Sequence, residues 1–553
     1  MSDLMSARTI LNVVERPTWF GPAESPLFGV AHLPADQKVR GAVLVCGSLG
    51  KDHADTLRGL RLLGNELAAR GLLVFRFDYL GSGDSSFDQT RAGVVGDWQA
   101  SVGHAVDYVR ESGVSDISAV AVRAGALILD SVLARHPSIS RVVYWDPVGS
   151  GQRYLREQTA FFKIAVGNDD VPPGVVSTIG ARLAPDAAKE FGGLTLGSDA
   201  GGVDRLVITR SEGYDKNVRA LVESARTTAV LVDGFPQCAQ PSRLLVPVSL
   251  AAVDAATEWL DQQVGHERTP VTLEFTDSAR IPVGDSVVIE QIERISPHDM
   301  FAIRTLPDSG ATDSVVMFFT NANNPHHGPN REWVELAREV AATGRTALRW
   351  DRRGAGESSP PGRDEEVYVY SDRGSQDALA ATAHARRGAT RVQFAGVCSG
   401  SWYAAYGARE LGADSVVFVN TLLWSWRIKK VLRARTLPGD DDEIDWEQTS
   451  RARMRRKVQN MLPTQCWRVL GHTGVVQAPD VVLSALADRG VAATVILCPH
   501  DTKLFVANKG LQALRRLRTS PAPPELVEVP DGDHAAYHQS ILAALRRAVL
   551  NYS

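Results

Sequence analysis

Short apolar runs alternate with longer amphipathic stretches along most of this chain. In the first half, Ala42–Val45 and Leu73–Phe77 read as buried strands, with an amphipathic helix at Leu57–Ala69 between them. The second half repeats the rhythm. It predicts strand Val315–Thr320, helix Glu332–Ala342, strand Ala347–Trp350, strand Arg391–Ala395 and helix Trp402–Leu411. Strands Ala492–Leu497 and Leu526–Val529 follow, then a final helix from about Ser540. Gly344 falls just past one of these helices, a common place for a left-handed closing glycine. The alternation predicts an α/β fold, with each domain a mostly parallel sheet flanked by helices. In the first copy Ala42–Val45 is expected to open the sheet. Two stretches break the rhythm, about 149–202 and 422–479, and read as lid insertions.

The pattern is written twice. Leu73–Asp78, followed by Gly81-Ser82-Gly83-Asp84-Ser85, matches Ala347–Asp351, followed by Gly354-Ala355-Gly356-Glu357-Ser358. Ala119–Gly125 matches Phe394–Gly400, and Arg141–Asp146 matches Ser415–Asn420. Asp78 and Asp351 are 273 positions apart, Arg123 and Cys398 are 275, and Asp146 and Asn420 are 274. Three matches at nearly one offset predict two tandem domains, 1–266 and 267–553, meeting near Val264–Pro270.

Composition narrows the function classes. A chain of 553 residues exceeds one ordinary core. A net charge of -4 speaks against general nucleic-acid binding. No apolar run reaches the ~18 residues of a membrane helix. The opening Met1-Ser2-Asp3-Leu4 lacks a basic and then apolar leader, so no secretory signal is expected. Cys46, Cys238, Cys398, Cys466 and Cys498 are widely spaced and form no C-x-x-C pair, which predicts neither a disulfide framework nor a zinc site. A reducing cytoplasm is the expected compartment, and no cofactor is expected.

The chemistry centres on Gly396-Val397-Cys398-Ser399-Gly400, a G-x-nucleophile-x-G elbow with cysteine as nucleophile. Strand before, helix after and a glycine on each side are the context this motif requires. A thiol at a helix N-terminus is also favoured as thiolate. The cysteine needs a base, and the base an orienting acid. Asp501 follows the strand Ala492–Leu497, and His534 follows Leu526–Val529, so both fall where strands of one sheet end. His538 is a weaker alternative base, and Asp531 and Asp533 read as a polar loop. Oxyanion donors are expected from the backbone N–H of Ser399 and from Asn321 or Ala322, after Val315–Thr320. His326 and His327 read as substrate-facing, and no third ligand is apparent for a metal between them. Trp424, Trp426 and Arg427 open the lid and are further candidates for substrate contact, with Trp446 deeper in it. The clusters Arg427–Arg435 and Arg451–Lys457, which flank the acidic run Asp440–Glu443, read either as a solvated face or as a dock for an anionic group.

The first copy carries Arg123 at the nucleophile position. Arginine stays protonated and cannot attack a carbonyl. Asp233-Gly234-Phe235-Pro236-Gln237 follows its last strand, with no histidine. This copy is expected to be non-catalytic, with Arg123 serving either packing or an anionic partner.

Both halves resemble the α/β-hydrolase superfamily. The second half carries the Asp351-x-Arg353-Gly354-x-Gly356-x-Ser358 turn, the Cys398 elbow, Asp501 and His534; dienelactone hydrolases and polyhydroxyalkanoate synthases also use a cysteine elbow. The first half resembles hydrolase-like proteins associated with exosortase systems. That likeness rests on Trp145-Asp146-Pro147-Val148, Tyr154-Leu155-Arg156-Glu157 and the arginine elbow. The resemblance implies acyl transfer from an ester or thioester through an acyl-S-Cys398 intermediate. The substrate would be free, or linked to coenzyme A or a carrier protein. Hydrolysis, transfer to a non-water acceptor or cyclisation in a biosynthetic pathway, and a non-catalytic scaffold are the three readings the sequence leaves open.

Overall fold

The computed structural model describes residues 8–10, 12–197, 202–210, 215–232, 246–321, 324–358, 362–363, 368–428 and 463–552. The chain divides into two compact units, residues 1–312 with 323–367, and residues 313–322 with 368–553. The first unit thus takes in strands and a helix from the second half of the sequence. The fold class is α/β, as the alternation of apolar runs predicts.

In the first unit one sheet runs Arg8–Ile10, Val13–Phe20, Leu27–Pro34, Leu73–Phe77, Ala42–Cys46, Ile117–Val122, Ile139–Trp145, Asp204–Thr209 and Thr227–Leu231. Pairing is antiparallel up to Leu73–Phe77 and parallel from there on. Ala42–Cys46, Leu73–Phe77 and Ile117–Val122 are buried throughout, which is why they read as unbroken apolar runs. Leu44 and Cys46 pack with Trp98, Val102 and Leu127, while Val43 and Val45 pack with Leu63, Leu67 and Ala256. Successive residues therefore feed opposite faces, each covered by helices.

Ala42 does not open this sheet. Val13–Phe20 and Leu27–Pro34 stand beyond it. They escape a hydrophobic reading because Glu15, Thr18 and His32 interrupt them, although all three are buried. The helix expected from Leu57 already begins at Gly50. The same unit holds the antiparallel run Ser278–Val283, Ser286–Ile295, Met300–Pro307 and Thr346–Trp350. Phe28 packs edge-on against Trp19 and Phe301, with ring centroids 5.4 and 6.0 Å away. Val30, Ile281, Val288 and Ile303 share that cluster.

Beside this apolar cluster lies a buried ionic one. Arg76 donates to both oxygens of Glu357 at 3.0 and 2.8 Å, and Arg349 pairs with Asp84. Each arginine belongs to one of the two matched strands, and its carboxylate to the glycine turn after the other. Glu15 is bound by Arg61, and Glu290 by Arg338 and Arg349. The two turns are built alike. The backbone N–H of Asp84 donates to Asp78 Oδ2 at 2.9 Å, and that of Glu357 to Asp351 Oδ2 at 2.8 Å. A Cβ on Gly83 would lie 2.0 Å from the Asp78 carboxylate, and one on Gly356 2.1 Å from that of Asp351. Glycine is required at both positions.

The second unit contains the parallel strands Ser314–Phe319, Arg391–Val397, Ser415–Val419, Ala492–Leu497 and Glu525–Glu528, paired in that order. Being parallel, they bring all their C-terminal ends to one edge, where the candidate residues follow. Helix Ser399–Leu411 packs on the middle strands and helix Gln539–Leu550 closes the described chain. Residues 429–462, most of the expected lid, lie outside the described residues, as do Asp233–Gln237 of the first copy. Among the described residues no helix is long and apolar enough to cross a membrane.

The ionic cluster gives an acid-stability prediction. Burial opposes charge on Glu15, but Arg61 and His32 outweigh it and hold its pKa at about 2, against an ordinary 4.5. Glu357 is likewise lowered, against the cost of burial, chiefly by Arg76. A depressed carboxylate stabilises the fold above its unfolded pKa, and that contribution disappears as pH falls toward the folded value. The unfolding midpoint should therefore drop steeply between about pH 4.5 and 2. Arg76→Met, which removes both hydrogen bonds to the buried Glu357 carboxylate and leaves it Arg61 at 3.6 Å, should cost about 3 kcal/mol at neutral pH in urea unfolding.

Candidate active site

Cys398 sits between the end of strand Arg391–Val397 and the first turn of helix Ser399–Leu411, with φ 54° and ψ −117°. That left-handed backbone is unusual for a residue with a Cβ and marks a sharp elbow. The flanking glycines are sterically required. A Cβ on Gly396 would meet the Gly400 carbonyl carbon and the Ser401 nitrogen at 2.5 Å, and one on Gly400 would meet the Phe319 oxygen at 2.2 Å. The Cys398 N–H donates to the Val419 oxygen at 2.8 Å. Ser401 Oγ donates to the Gly396 oxygen at 2.6 Å and accepts from Val419 N–H at 3.0 Å, bracing the turn from behind.

Asp501 lies in the first turn of helix Pro499–Ala507, directly after strand Ala492–Leu497, and is buried. His534 follows the strand Glu525–Glu528. Its Nδ1 is 3.0 and 3.1 Å from the two oxygens of Asp501. Its Nε2 is buried and makes no hydrogen bond of ordinary geometry among the described residues. Burial works against a charged imidazole here. Cys398, together with Asp501, outweighs that and raises the His534 pKa well above the ordinary value. Burial likewise opposes charge on Asp501, yet its bond to His534 lowers its pKa. His534 is thus oriented on Asp501 through Nδ1, with Cys398 as a further influence on its charge.

Two residues support this set without having been singled out in the sequence. Asn420, at φ 51° after strand Ser415–Val419, donates from Nδ2 to the carbonyls of Asp533 and His534 at 2.9 and 3.0 Å. Its Oδ1 accepts the Cys498 N–H at 2.9 Å. One side-chain amide therefore ties the loop of the acid to the loop of the base. Cys498 Sγ donates to Asp501 Oδ2 at 2.9 Å. Burial, with Asp501 beside it, pushes this thiol up to about 12, so it remains a donor. The only sequence signal for Asn420 was its match to Asp146.

The remaining candidates separate. Ser399 and Asn321 are buried, and Ala322 lies outside the described residues. Trp424 packs between Phe418 and Phe505, with centroids 5.7 and 5.4 Å away. Trp426 is stacked beneath Arg409 and is 6.0 Å from Trp402, while Arg427 is exposed. Trp446 and the charged residues from Lys429 to Lys457 lie outside the described residues. His538 caps the last helix, its Nδ1 accepting from Ser540 N–H at 3.1 Å. Asp533 Oδ1 accepts the N–H groups of Tyr537 and His538 at 2.8 Å each. His326 and His327 belong to the first unit, and both bond to Asp84. The pair read as substrate-facing is instead buried against a carboxylate, because Asp84 supplies the charge that stabilises it there.

In the first unit Arg123 holds the same backbone conformation as Cys398, with φ 51° and ψ −116°. Its guanidinium donates to Asp52 at 3.2 Å and to Asp146 at 3.0 Å. Tyr154 also donates to Asp52, and Arg210 to Asp146. The N–H of Ala124, the counterpart of Ser399, donates to Ser48 Oγ at 3.3 Å. This elbow is filled and internally neutralised.

No protein-family model matches the chain, and no curated protein matches it. Among solved structures it is similar to a dienelactone hydrolase from Anabaena variabilis (15% identity, TM-score 0.30), covering 48% of this chain and 96% of that one. It is also similar to the esterase Est1E from Butyrivibrio proteoclasticus, at 13% identity and TM-score 0.31 over 44% of this chain and 96% of that one. Mouse alpha/beta hydrolase domain-containing protein 10 is similar at 14% identity and TM-score 0.30, over 47% of this chain and 97% of that one. At these identities and scores the reading of the chemistry rests on the geometry above.

Because Cys398 is the largest upward influence on His534, Cys398→Ser should lower the His534 pKa toward the ordinary imidazole range. A proton NMR titration of the imidazole resonance reads this directly, and an unchanged midpoint would break the coupling.

Proposed function

We propose that the second unit is a cysteine-dependent acyl-transfer enzyme of the α/β-hydrolase type, cleaving an ester or thioester. The observation that carries this reading is His534, with Nδ1 bound to Asp501, in the same unit as the strained Cys398 elbow. Asp501 orients the ring and stabilises it when charged. The Cys398 sulfur attacks the carbonyl carbon, and the carbonyl π electrons move to oxygen. The N–H of Ser399, at the start of its helix, is one donor for that oxyanion, and the N–H of Asn321 or Ala322 is the second. Collapse breaks the bond to the leaving group, which takes the proton from His534 Nε2. The acyl-S-Cys398 intermediate then reacts with an acceptor whose proton returns to Nε2, and the thiolate is restored.

The acceptor is water in a hydrolase or thioesterase. In an acyltransferase or cyclising enzyme it is an amine, thiol or hydroxyl, and a thioester intermediate suits that chemistry equally well. An acyl donor carried on coenzyme A or a carrier protein would draw on the basic clusters Arg427–Arg435 and Arg451–Lys457. We read the chain as two copies of one domain, the first non-catalytic because Arg123 fills its elbow. We place the protein in a reducing cytoplasm, which would keep Cys398 free.

Intact-mass spectrometry after incubation with a panel of activated esters and thioesters tests the reading. Wild type should gain one acyl group and Cys398→Ala none. No adduct with any member of the panel would favour a non-catalytic scaffold. Release of free acid from the adduct marks a hydrolase, and an acylated amine or thiol marks a transferase. Asn420→Ala should slow acylation by about 10²-fold, since misplacing catalytic groups by ~1 Å costs that much. A stopped-flow acylation rate decides it.

A further inference from the structure

The acyl-transfer reading leaves the His326-His327 pair unused. The sequence offered it no third ligand, but the fold supplies one. Asp84 Oδ2 lies 2.6 Å from His326 Nε2 and 3.0 Å from His327 Nε2, and the three ligating atoms are all within 4.8 Å of one another. All three residues are buried, and all belong to the first unit. We propose that Asp84, His326 and His327 form a binding site for a divalent transition metal of the zinc class.

Two imidazoles and a carboxylate form the donor set of three-ligand zinc sites that keep a position open. The outer contacts are also those of a metal centre. His326 Nδ1 is 2.7 Å from Asp351 Oδ2, and its backbone N–H donates to Asp351 Oδ1 at 2.7 Å. That carboxylate holds the ring with Nε2 facing Asp84, as outer carboxylates do for metal-bound histidine. Asp84 Oδ1 is engaged by Arg349, which leaves Oδ2 for the cation. Of the nearby guanidiniums, Arg331 pairs with Glu335, and Arg338 shares Glu290 with Arg349, which also engages Asp84. Bonds of about 2.0–2.2 Å to each ligand require only a slight opening of the triangle.

The backbone points the same way. After Gly328 at φ 72°, the consecutive residues Asn330 and Arg331 adopt φ 51° and 64°. Such residues cost about 1–3 kcal/mol each and persist where surrounding contacts impose them. Here the Arg331 side chain imposes them, donating to the carbonyls of Gly83 and Phe87 at 2.6 and 2.8 Å. The strained loop that carries the histidines is thus fastened to the turn that carries Asp84. Both histidines line a cavity of about 30 Å³ with His53 and Asp78. A bound water needs about 10–15 Å³, so the open position can hold one. The His53 ring is 6.1 Å from that of His327, and its Nε2 lies 3.4 Å from Asp78 Oδ1.

The test uses the full chain, stripped with a chelator and then titrated with cobalt(II) or zinc(II). One equivalent should bind per chain, and the cobalt form should show visible d–d bands. His327→Ala should abolish this, while Asp351→Asn weakens binding by about 10–100-fold. Cys398→Ser should leave metal binding unchanged. X-ray absorption of the zinc-loaded wild type should show nitrogen and oxygen ligands with imidazole scattering, so the assignment stands even if a variant fails to fold. Absence of stoichiometric binding by folded wild type would overturn the site and leave a hydrogen-bonded ionic cluster. A sulfur shell, or full binding by a folded His327→Ala protein, would overturn it as well. None of these readouts depends on acyl transfer.

Discussion

The site in the second unit depends on one backbone constraint. The chain must pass from strand Arg391–Val397 into helix Ser399–Leu411 within a single residue, and Cys398 does so in a left-handed conformation. An L-residue resists that conformation. It is held there because its N–H is fixed on the Val419 oxygen, Ser401 braces the turn, and no Cβ fits at Gly396 or Gly400. The reward is positional. The thiol stands where a parallel sheet ends and where the first N–H groups of a helix are unsatisfied by the helix itself.

The next residue position of consequence lies one strand over. Asn420 and Asp146 both follow a parallel strand and both have positive φ, 51° and 45°. An amide has a donor and an acceptor, so Asn420 can bind two loops at once, the carbonyls of one and the N–H of the other. A carboxylate only accepts. Asp146 therefore gathers cations, Arg123 and Arg210, and neutralises the elbow beside it. A change of one atom type at this position is consistent with a reactive centre in one unit and a filled one in the other.

How much of this was legible in the chain follows from what pattern reading can detect. Strands buried on both faces, such as Leu73–Phe77 and Arg391–Val397, announce themselves as apolar runs. The elbow is legible because a strained turn needs glycine at fixed spacing. The antiparallel strands Val13–Phe20 and Leu27–Pro34 were hidden, since Glu15 and His32 are buried there with partners far along the chain. The same blindness affects the histidine pair. His326 finds Asp84 242 positions away, across the antiparallel strands that bring the two glycine turns together. Local spacing carries no trace of such a meeting. Asn420 was missed for a different reason: asparagine after a strand is ordinary turn chemistry until its hydrogen bonds are seen.

Arg123 and Cys398 differ by only a few degrees in φ and ψ, so the elbow by itself cannot be the source of chemistry. What separates them is the set of neighbours. Around Arg123 every strong group is already answered: two carboxylates meet the guanidinium, and Ser48 takes the N–H of Ala124. Around Cys398 the balance is left open. His534 is oriented on one nitrogen and makes no ordinary hydrogen bond on the other, and its charge responds to the thiol. A site poised for proton transfer must keep one donor or acceptor uncommitted, and among the described residues His534 Nε2 in the second unit meets that criterion, whereas the strong groups around Arg123 are answered.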